Sequence, residues 1–431
     1  MPVAPRPNMG SSPQCLRDGA GLVTPAAPGL LVRDLVQLVS PAGTAAPLRG
    51  ADLGRLDQVD HAYLLIEDGR IAAAGPMREL PPIAGEIEEF DGRGLCALPG
   101  LVDCHTHPAF AGDRVDEFAL RARGATYEEL HAAGGGILAT VRATRDAGEE
   151  GIRSAVALHR SWMLAHGTTT WEGKSGYGLD RETELASLRA VRSAGGVPTW
   201  LGAHAVAPEL PDADAYLDFV LANVLPEAAK LAEAADVFLE HGAFGAVQAR
   251  RYLQACRAAG LALRLHGDQF TESGAVPLGI ELGARSVDHL EATADEGIRA
   301  LGASDVTAVL LPASALFLGR PMPQARALVD AGAAVAIATD FNPGSAFCES
   351  LPLVCSLATT QLGLSPGEAL TACTVNAAHV LGRAHAVGRL APGYAADVLL
   401  LDAPDWRYLA YHLAGDVVDT VIVRGAATRL R

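Results

Sequence analysis

His105, His107, His266 and Asp340 each follow a short apolar run, and three imidazoles with one carboxylate suit Zn²⁺ or Fe²⁺ with a position left open for water. The run Leu95-Cys-Ala-Leu-Pro-Gly-Leu-Val-Asp103 leads into His105-Thr106-His107. Successive strand side chains point to opposite faces, so histidines two apart point the same way and can share one cation. His-x-His alone is a weak signal. A third histidine ending Leu261-Ala-Leu-Arg-Leu-His266, and an aspartate after Ala333-Ala-Val-Ala-Ile-Ala-Thr339, strengthen it. The alternative, four polar core residues, requires each to find its own buried partner. A cation that polarises a carbonyl and lowers the pKa of bound water toward about 7 equips such a site for hydrolysis. Asp340 could also take a proton. His289, in Ser286-Val-Asp-His-Leu290, could polarise a carbonyl or shuttle a proton; its plainer reading is a buried histidine paired with Asp288.

A rim of binding residues goes with these positions. Arg114, in Ala111-Gly-Asp-Arg-Val115, could hold a carboxylate bidentately, or be a solvated loop arginine. In Lys174-Ser-Gly-Tyr-Gly178 the glycines permit a tight bend that aims Tyr177 inward. Lys174 could bridge two metals after carboxylation, but the donors already named suffice for one ion and favour an outer or anion-facing role. Asp340-Phe-Asn-Pro-Gly-Ser345 offers Asn342, the Gly344 backbone and the Ser345 hydroxyl as neutral donors, and is also an ordinary turn signal. His204 in Leu201-Gly-Ala-His-Ala205 and Gln269 in His266-Gly-Asp-Gln269 complete the rim.

These residues mark strand ends. Strand candidates end near Asp103, Lys174, Ala205, Glu240, His266, His289, Pro312 and Thr339, with helical stretches such as 180–194 and 248–259 between them. Eight such units predict an α/β fold, a (β/α)8 TIM-type barrel over 95–384, whose chemistry gathers at the carboxyl ends of its strands. Leu30 to Val39 and His61 to Ala74, with Glu67-Asp68-Gly69-Arg70 as a hairpin turn, suggest short antiparallel strands. The same texture returns at Ala396 to Asp402 and Val417 to Gly425. Segments 30–94 and 385–431 are therefore expected to build one small β-sandwich from both chain termini. Residues 1–29, rich in Pro, Gly and Ala, are expected to form a flexible tail.

With 431 residues, 49% of them hydrophobic, the chain has ample material for a core. Its formal charge of −16 and pI near 5.2 argue against nucleic acid or an anionic membrane as partners. A small anionic substrate stays compatible where arginines focus the field. The seven cysteines form no Cys-x-x-Cys pair and are odd in number, so no disulfide framework is expected and the cytoplasm fits best. No apolar stretch approaches the roughly 20 residues of a membrane span, and the first residues lack the features of a signal peptide. A homodimer is the expected assembly.

The chain resembles the amidohydrolase superfamily and, within it, the imidazolonepropionase family. The stretches that carry the resemblance are Pro99-Gly-Leu-Val-Asp-Cys-His-Thr-His107, Gly134-Gly-Gly-Ile137, Lys174-Ser-Gly-Tyr-Gly-Leu-Asp180, Leu201-Gly-Ala-His204, His266-Gly-Asp-Gln269, Val287-Asp-His-Leu-Glu291 and Thr339-Asp-Phe-Asn-Pro-Gly344. The resemblance implies hydrolysis of 4-imidazolone-5-propanoate to N-formimidoyl-L-glutamate in histidine degradation, with one divalent or trivalent metal ion per subunit, zinc or iron. It implies His105, His107, His266 and Asp340 as metal ligands and His289 and Asp340 as catalytic groups. It implies Arg114, Tyr177, His204, Gln269, Asn342, Gly344 and Ser345 as substrate contacts. Three positions depart from the family pattern: Ser345 where threonine is more frequent, Gln269 where some relatives carry glutamate, and the less aromatic segment 312–318. Glutamine cannot act as a general base. The competing readings are another amidohydrolase activity, a deaminase or a different cyclic amidase, and a barrel retained for assembly without chemistry.

Overall fold

The computed structural model describes residues 29–83, 85–124 and 135–430. The expected tail lies outside the described residues except for Gly29, and Gly134 lies outside them too. Gly29 begins the first strand.

The N-terminal part contributes β1 (Gly29–Pro41), β2 (Leu56–Glu67), β3 (Arg70–Pro76), β4 (Glu88–Asp91) and β5 (Leu95–Pro99). The Asp68-Gly69 pair turns β2 into β3 as the sequence predicts. At the other end, β14 (Val398–Asp402), β15 (Val418–Val423) and β16 (Ala426–Arg429) enter the same sheet, because β14 lies antiparallel to β5. The hydrogen-bonded order is β16-β15-β14-β5-β1-β2-β3, with β4 on β1. The sheet curls over: the backbone N–H of Ile71 donates to Tyr394 and that of Ala396 to Gly69, both at 2.9 Å. Leu30, Val32, Leu64, Ile66, Val398, Leu400 and Ile422 pack inside the curl. The expected sandwich of both termini is thus one sheet folded over its own core.

Between them run eight parallel strands, β6 (Leu101–Asp103), β7 (Thr168–Lys174), β8 (Val197–Ala203), β9 (Ala234–Leu239), β10 (Ala262–Gly267), β11 (Ser286–His289), β12 (Thr307–Leu310) and β13 (Ala334–Ile337). They hydrogen-bond in sequence order, the pattern of a TIM-type barrel. Helices fill the gaps near their predicted places, at Arg181–Ser193 and Ala246–Ala258 for instance. The first begins where the Asp180 carboxylate accepts the Thr183 N–H at 2.7 Å, an N-cap that satisfies an otherwise orphaned donor. Among the described residues no helix is long and apolar enough to cross a membrane.

The seam between first and last strands matters most for the site. Beyond β6 and β13 the chains pair through Thr106 and Phe341. His107 N–H donates to Phe341 O at 2.9 Å and Asp340 N–H to His105 O at 3.0 Å. Below them, Thr339 Oγ1 donates to buried Asp103 at 2.6 Å. The bonds that bring the barrel ends together are therefore those that seat Asp340 beside His105 and His107.

Candidate metal centre and its rim

At the carboxyl ends of β6, β10 and β13, four buried side chains converge. His107 Nε2 lies 3.3 Å from His266 Nε2 and 3.3 Å from Asp340 Oδ1, and His105 Nε2 lies 3.5 Å from the same oxygen. His105 Nδ1 is 2.5 Å from Asp288 Oδ2, and His266 Nδ1 is 3.0 Å from Asp236 Oδ2. The Asp288 hydrogen bond at Nδ1 fixes the His105 tautomer and turns its Nε2 lone pair toward the centre, and the negative charge of Asp236 beside Nδ1 of His266 favours the same tautomer there. His105 Nε2 is buried with no hydrogen-bond partner. An orphaned His105 Nε2 beside the close His107 and His266 nitrogens and the Asp340 carboxylate is an arrangement a cation resolves. The donors form two triads that share His105, one with His107 and His266 and one with His289 and Asp340, and nitrogen and carboxylate donors of this kind fit a divalent ion.

The electrostatics favour neutral ligands. Burial, reinforced by Lys174 and the neighbouring histidines, holds His105 well below the ordinary imidazole range. Burial takes His266 down to about 3 although Asp236 opposes it. Burial alone would raise Asp340, but the His107 hydrogen bond and the nearby imidazoles bring it to about 2. A neutral imidazole, as at His105 and His266, and an ionised carboxylate, as at Asp340, are the forms in which such groups bind metal.

His289 behaves differently. Burial would lower its pKa, yet Glu291, whose Oε1 is 3.5 Å from its Nδ1, outweighs that and raises it. The plainer expectation, a pair with Asp288, does not hold: the Asp288 carboxylate serves His105 and Arg264. Neighbouring strand residues point to opposite faces, which separates the two side chains. His289 and Asp340 have φ of +86° and +55°, unfavourable for residues with a Cβ and concentrated in proteins at sites of function.

The rim is partly as the sequence suggests. Gly176, at φ +104°, makes the bend after β7, and a Cβ there would meet Leu201 O and His204 Nδ1, both at 2.9 Å. The bend buries Tyr177, with ring centroids 5.3 Å from His204 and 6.1 Å from His107. His204 stacks on His107 at 5.6 Å and is fixed by the Gly176 carbonyl at 3.0 Å. Gln269 is buried beyond the mouth of β10. Arg114 donates to Glu117 from Nε at 2.9 Å and Nη2 at 2.8 Å, leaving Nη1 against Gly344. Asn342 is largely spent on its own loop: its Nδ2 donates to Asp340 O and Ser345 Oγ, and its Oδ1 accepts the Gly344 and Ser345 N–H groups. Lys174 is fully buried between Glu172 and Asp236, at 2.8 and 2.7 Å, an ammonium held by two carboxylates. That is an outer role and not a bridge between metals.

Sequence reading missed Glu117, Arg121, Glu172, Asp236, Arg264 and Glu291. Arg121 donates to Gly344 O at 3.0 Å and lies over the Phe317 ring at 5.3 Å, so the segment 312–318 supports the arginine pair. A signal existed for two of the six. Glu172 and Arg264 each precede a singled-out residue by two positions on a strand, and so share its face.

Residues 96–428 match the model of the amidohydrolase family. The chain is 63% identical over 406 residues to the imidazolonepropionase of Rubrobacter xylanophilus, covering 92% of this chain and 97% of that protein. It is 45% identical over 400 residues to the imidazolonepropionase of Solibacter usitatus, with coverages of 90% and 96%. Among solved structures, a triazine hydrolase variant superposes with a TM-score of 0.68 at 20% identity, over 93% of this chain and 94% of that one. An adenosine deaminase from Xanthomonas campestris with bound zinc gives 0.63 at 17% identity, over 92% of each. At such identities these two show the fold alone.

Proposed function

The chain belongs to the amidohydrolase family and, within it, to the imidazolonepropionases, and from that premise we propose how its own residues carry the reaction. It hydrolyses the ring amide C–N bond of 4-imidazolone-5-propanoate, giving N-formimidoyl-L-glutamate. The observation that carries this reading is the 63% identity spanning both the barrel and the terminal sheet. Within that span the converging His105, His107, His266 and Asp340 supply the donors.

These four residues hold the metal ion, zinc or iron, since nitrogen and carboxylate donors accept either. When bound, the ion supplies a Lewis acid at the ring carbonyl and a water of lowered pKa. Asp340, with Oδ1 toward the histidines and Oδ2 3.5 Å from Ser345 Oγ, accepts a proton from the attacking water. His289, kept proton-ready by Glu291, donates to the oxyanion that develops as the carbonyl carbon gains its new C–O bond. The C–N bond then breaks as the oxyanion collapses to a carbonyl and gives back to His289 any proton it took, and the ring nitrogen leaves with the proton that Asp340 accepted from the water. Arg114 takes the propionate through Nη1, with its Nε and Nη2 fixed on Glu117. Tyr177, His204, Gln269 and the Asn342–Ser345 loop wall the ring. A homodimer is part of the proposal, to be checked by light scattering.

The test is turnover of 4-imidazolone-5-propanoate, generated in situ from urocanate by urocanase and followed by its ultraviolet absorbance. Metal-quantified wild type should exceed the spontaneous rate. His266→Ala should lose both bound metal and the acceleration. No acceleration by fully metallated wild type overturns the assignment and moves it to another cyclic amide or amidine.

A further inference from the structure

Beneath the metal ligands lies a set of charged side chains whose connectivity is unusual. Asp288 Oδ2 sits 2.5 Å from His105 Nδ1 and 2.8 Å from Arg264 Nη2. Asp236 Oδ2 sits 3.0 Å from His266 Nδ1 and 2.7 Å from Lys174 Nζ. Glu172 joins the two arms: one oxygen pairs with Arg264 Nη1 and accepts the Thr199 hydroxyl at 2.5 Å, and the other lies 2.8 Å from Lys174 Nζ. All five charged side chains are 0–1% exposed. A continuous path runs His105–Asp288–Arg264–Glu172–Lys174–Asp236–His266, through residues of β7, β9, β10 and β11 and, at His105, the segment just beyond β6.

We propose that Glu172 is a positioning residue that couples the two arms, setting the metal affinity of His105 and His266 together though it touches neither. The inference rests on reading those histidines as ligands.

The physical argument is one of charge balance in a medium that cannot screen. Buried ions persist only when paired, and here three carboxylates face two cations. Among the described residues Glu172 is the carboxylate shared by both cations. With it in place, Arg264 and Lys174 each divide their attraction between two anions. Asp288 and Asp236 then keep enough negative charge to draw on the Nδ1–H of their histidines. Neutralise Glu172 and each cation pulls its remaining aspartate harder, so both imidazoles lose donor strength at once. Outer-shell partners of metal-binding histidines are worth about 10- to 100-fold in affinity.

The test is a chelator-competition titration with zinc alone on metal-free wild type, E172Q, E172D, T199V and D288N, each verified as folded by circular dichroism. Cobalt(II) titrated into the same proteins reports the ligand field through its visible band. E172Q should weaken zinc binding about 10- to 100-fold and shift the cobalt band, with partial recovery in E172D. T199V should shift affinity in the same direction by a smaller factor. The E172Q/D288N double variant should lose less than the product of its singles, since both act on one path. Folded E172Q with wild-type zinc affinity and cobalt band overturns the proposal. If E172Q does not fold, wild-type affinity in T199V does so. Wild type that binds no zinc or cobalt overturns instead the metal reading on which the proposal rests.

Discussion

Replacing Gly344 by alanine should impair anion recognition without removing a charge. A Cβ at this position would lie 2.3 Å from Arg114 Nη1 and 2.7 Å from its Cζ. Ordinary contact begins at 3.4 Å, so the guanidinium must retreat by about 1 Å. It is not free to do so, because Nε and Nη2 are bonded to Glu117 at 2.9 and 2.8 Å, and the two side chains are only 14% and 9% exposed. Retreat sacrifices one of two charge-assisted hydrogen bonds, each worth roughly 1.5–3 kcal/mol, or leaves the donor about 1 Å farther from the substrate carboxylate. At about 1.4 kcal/mol per factor of ten, either route lowers kcat/KM about 10- to 100-fold, chiefly through KM. The backbone at Gly344 tolerates alanine, its φ lying outside the left-handed region, so the fold should survive. The assay is the ultraviolet progress curve described above, on metal-quantified protein. Arg114→Ala should fall at least as far, and the double variant should be no worse than Arg114→Ala, since the clash has lost its target. Wild-type kcat/KM in Gly344→Ala, or independent losses in the double variant, would refute the placing of Arg114 Nη1 at the substrate carboxylate.

The stability contribution of His159 should fall as the pH drops below the pKa of an ordinary imidazole. Burial lowers the pKa of His159, against an opposing bond to Pro108 O at 2.8 Å, so below about pH 6.5 the unfolded chain takes up a proton that the folded one refuses. His159 should therefore contribute no pH dependence to the urea midpoint well above this pH and a decline below it, against the opposite trend of buried Asp103, which burial raises to about 7. His159→Gln, which removes the titrating group from its stack on Phe110, should decline less; equal slopes would discount His159. A chain ending at Val387 should be insoluble or unfolded, because it strips β5 of its β14 partner and removes Val398, Leu400 and Ile422 from the cluster that buries Val32, Leu64 and Ala97. A soluble, active truncation would show that the terminal sheet is dispensable.

Most barrel strands were legible because they are short, largely apolar runs, as parallel strands buried on both faces tend to be, although β7, Thr168-Thr-Thr-Trp-Glu-Gly-Lys174, departs from that pattern. His105 and His107 could be assigned to one face from their spacing alone, since the strand period is set by the backbone. Asp68-Gly69 announced its hairpin for a similarly local reason. What the chain could not disclose locally were the partners. Asp288 stands next to His289 in sequence yet bonds to His105, 183 positions away, and Glu172 reaches Arg264 across 92. Asn342 had the chemistry of a substrate donor, but its loop consumes most of that capacity. Residue type and strand period, then, determined which groups could bind a metal and which end of the barrel would carry them. Only closure of the barrel, through the His107–Phe341 and Asp340–His105 bonds, decided that the last strand would deliver Asp340 to the first. Closure also decided which buried charges would meet, because pairing in a low-dielectric core depends on distances that no local pattern encodes.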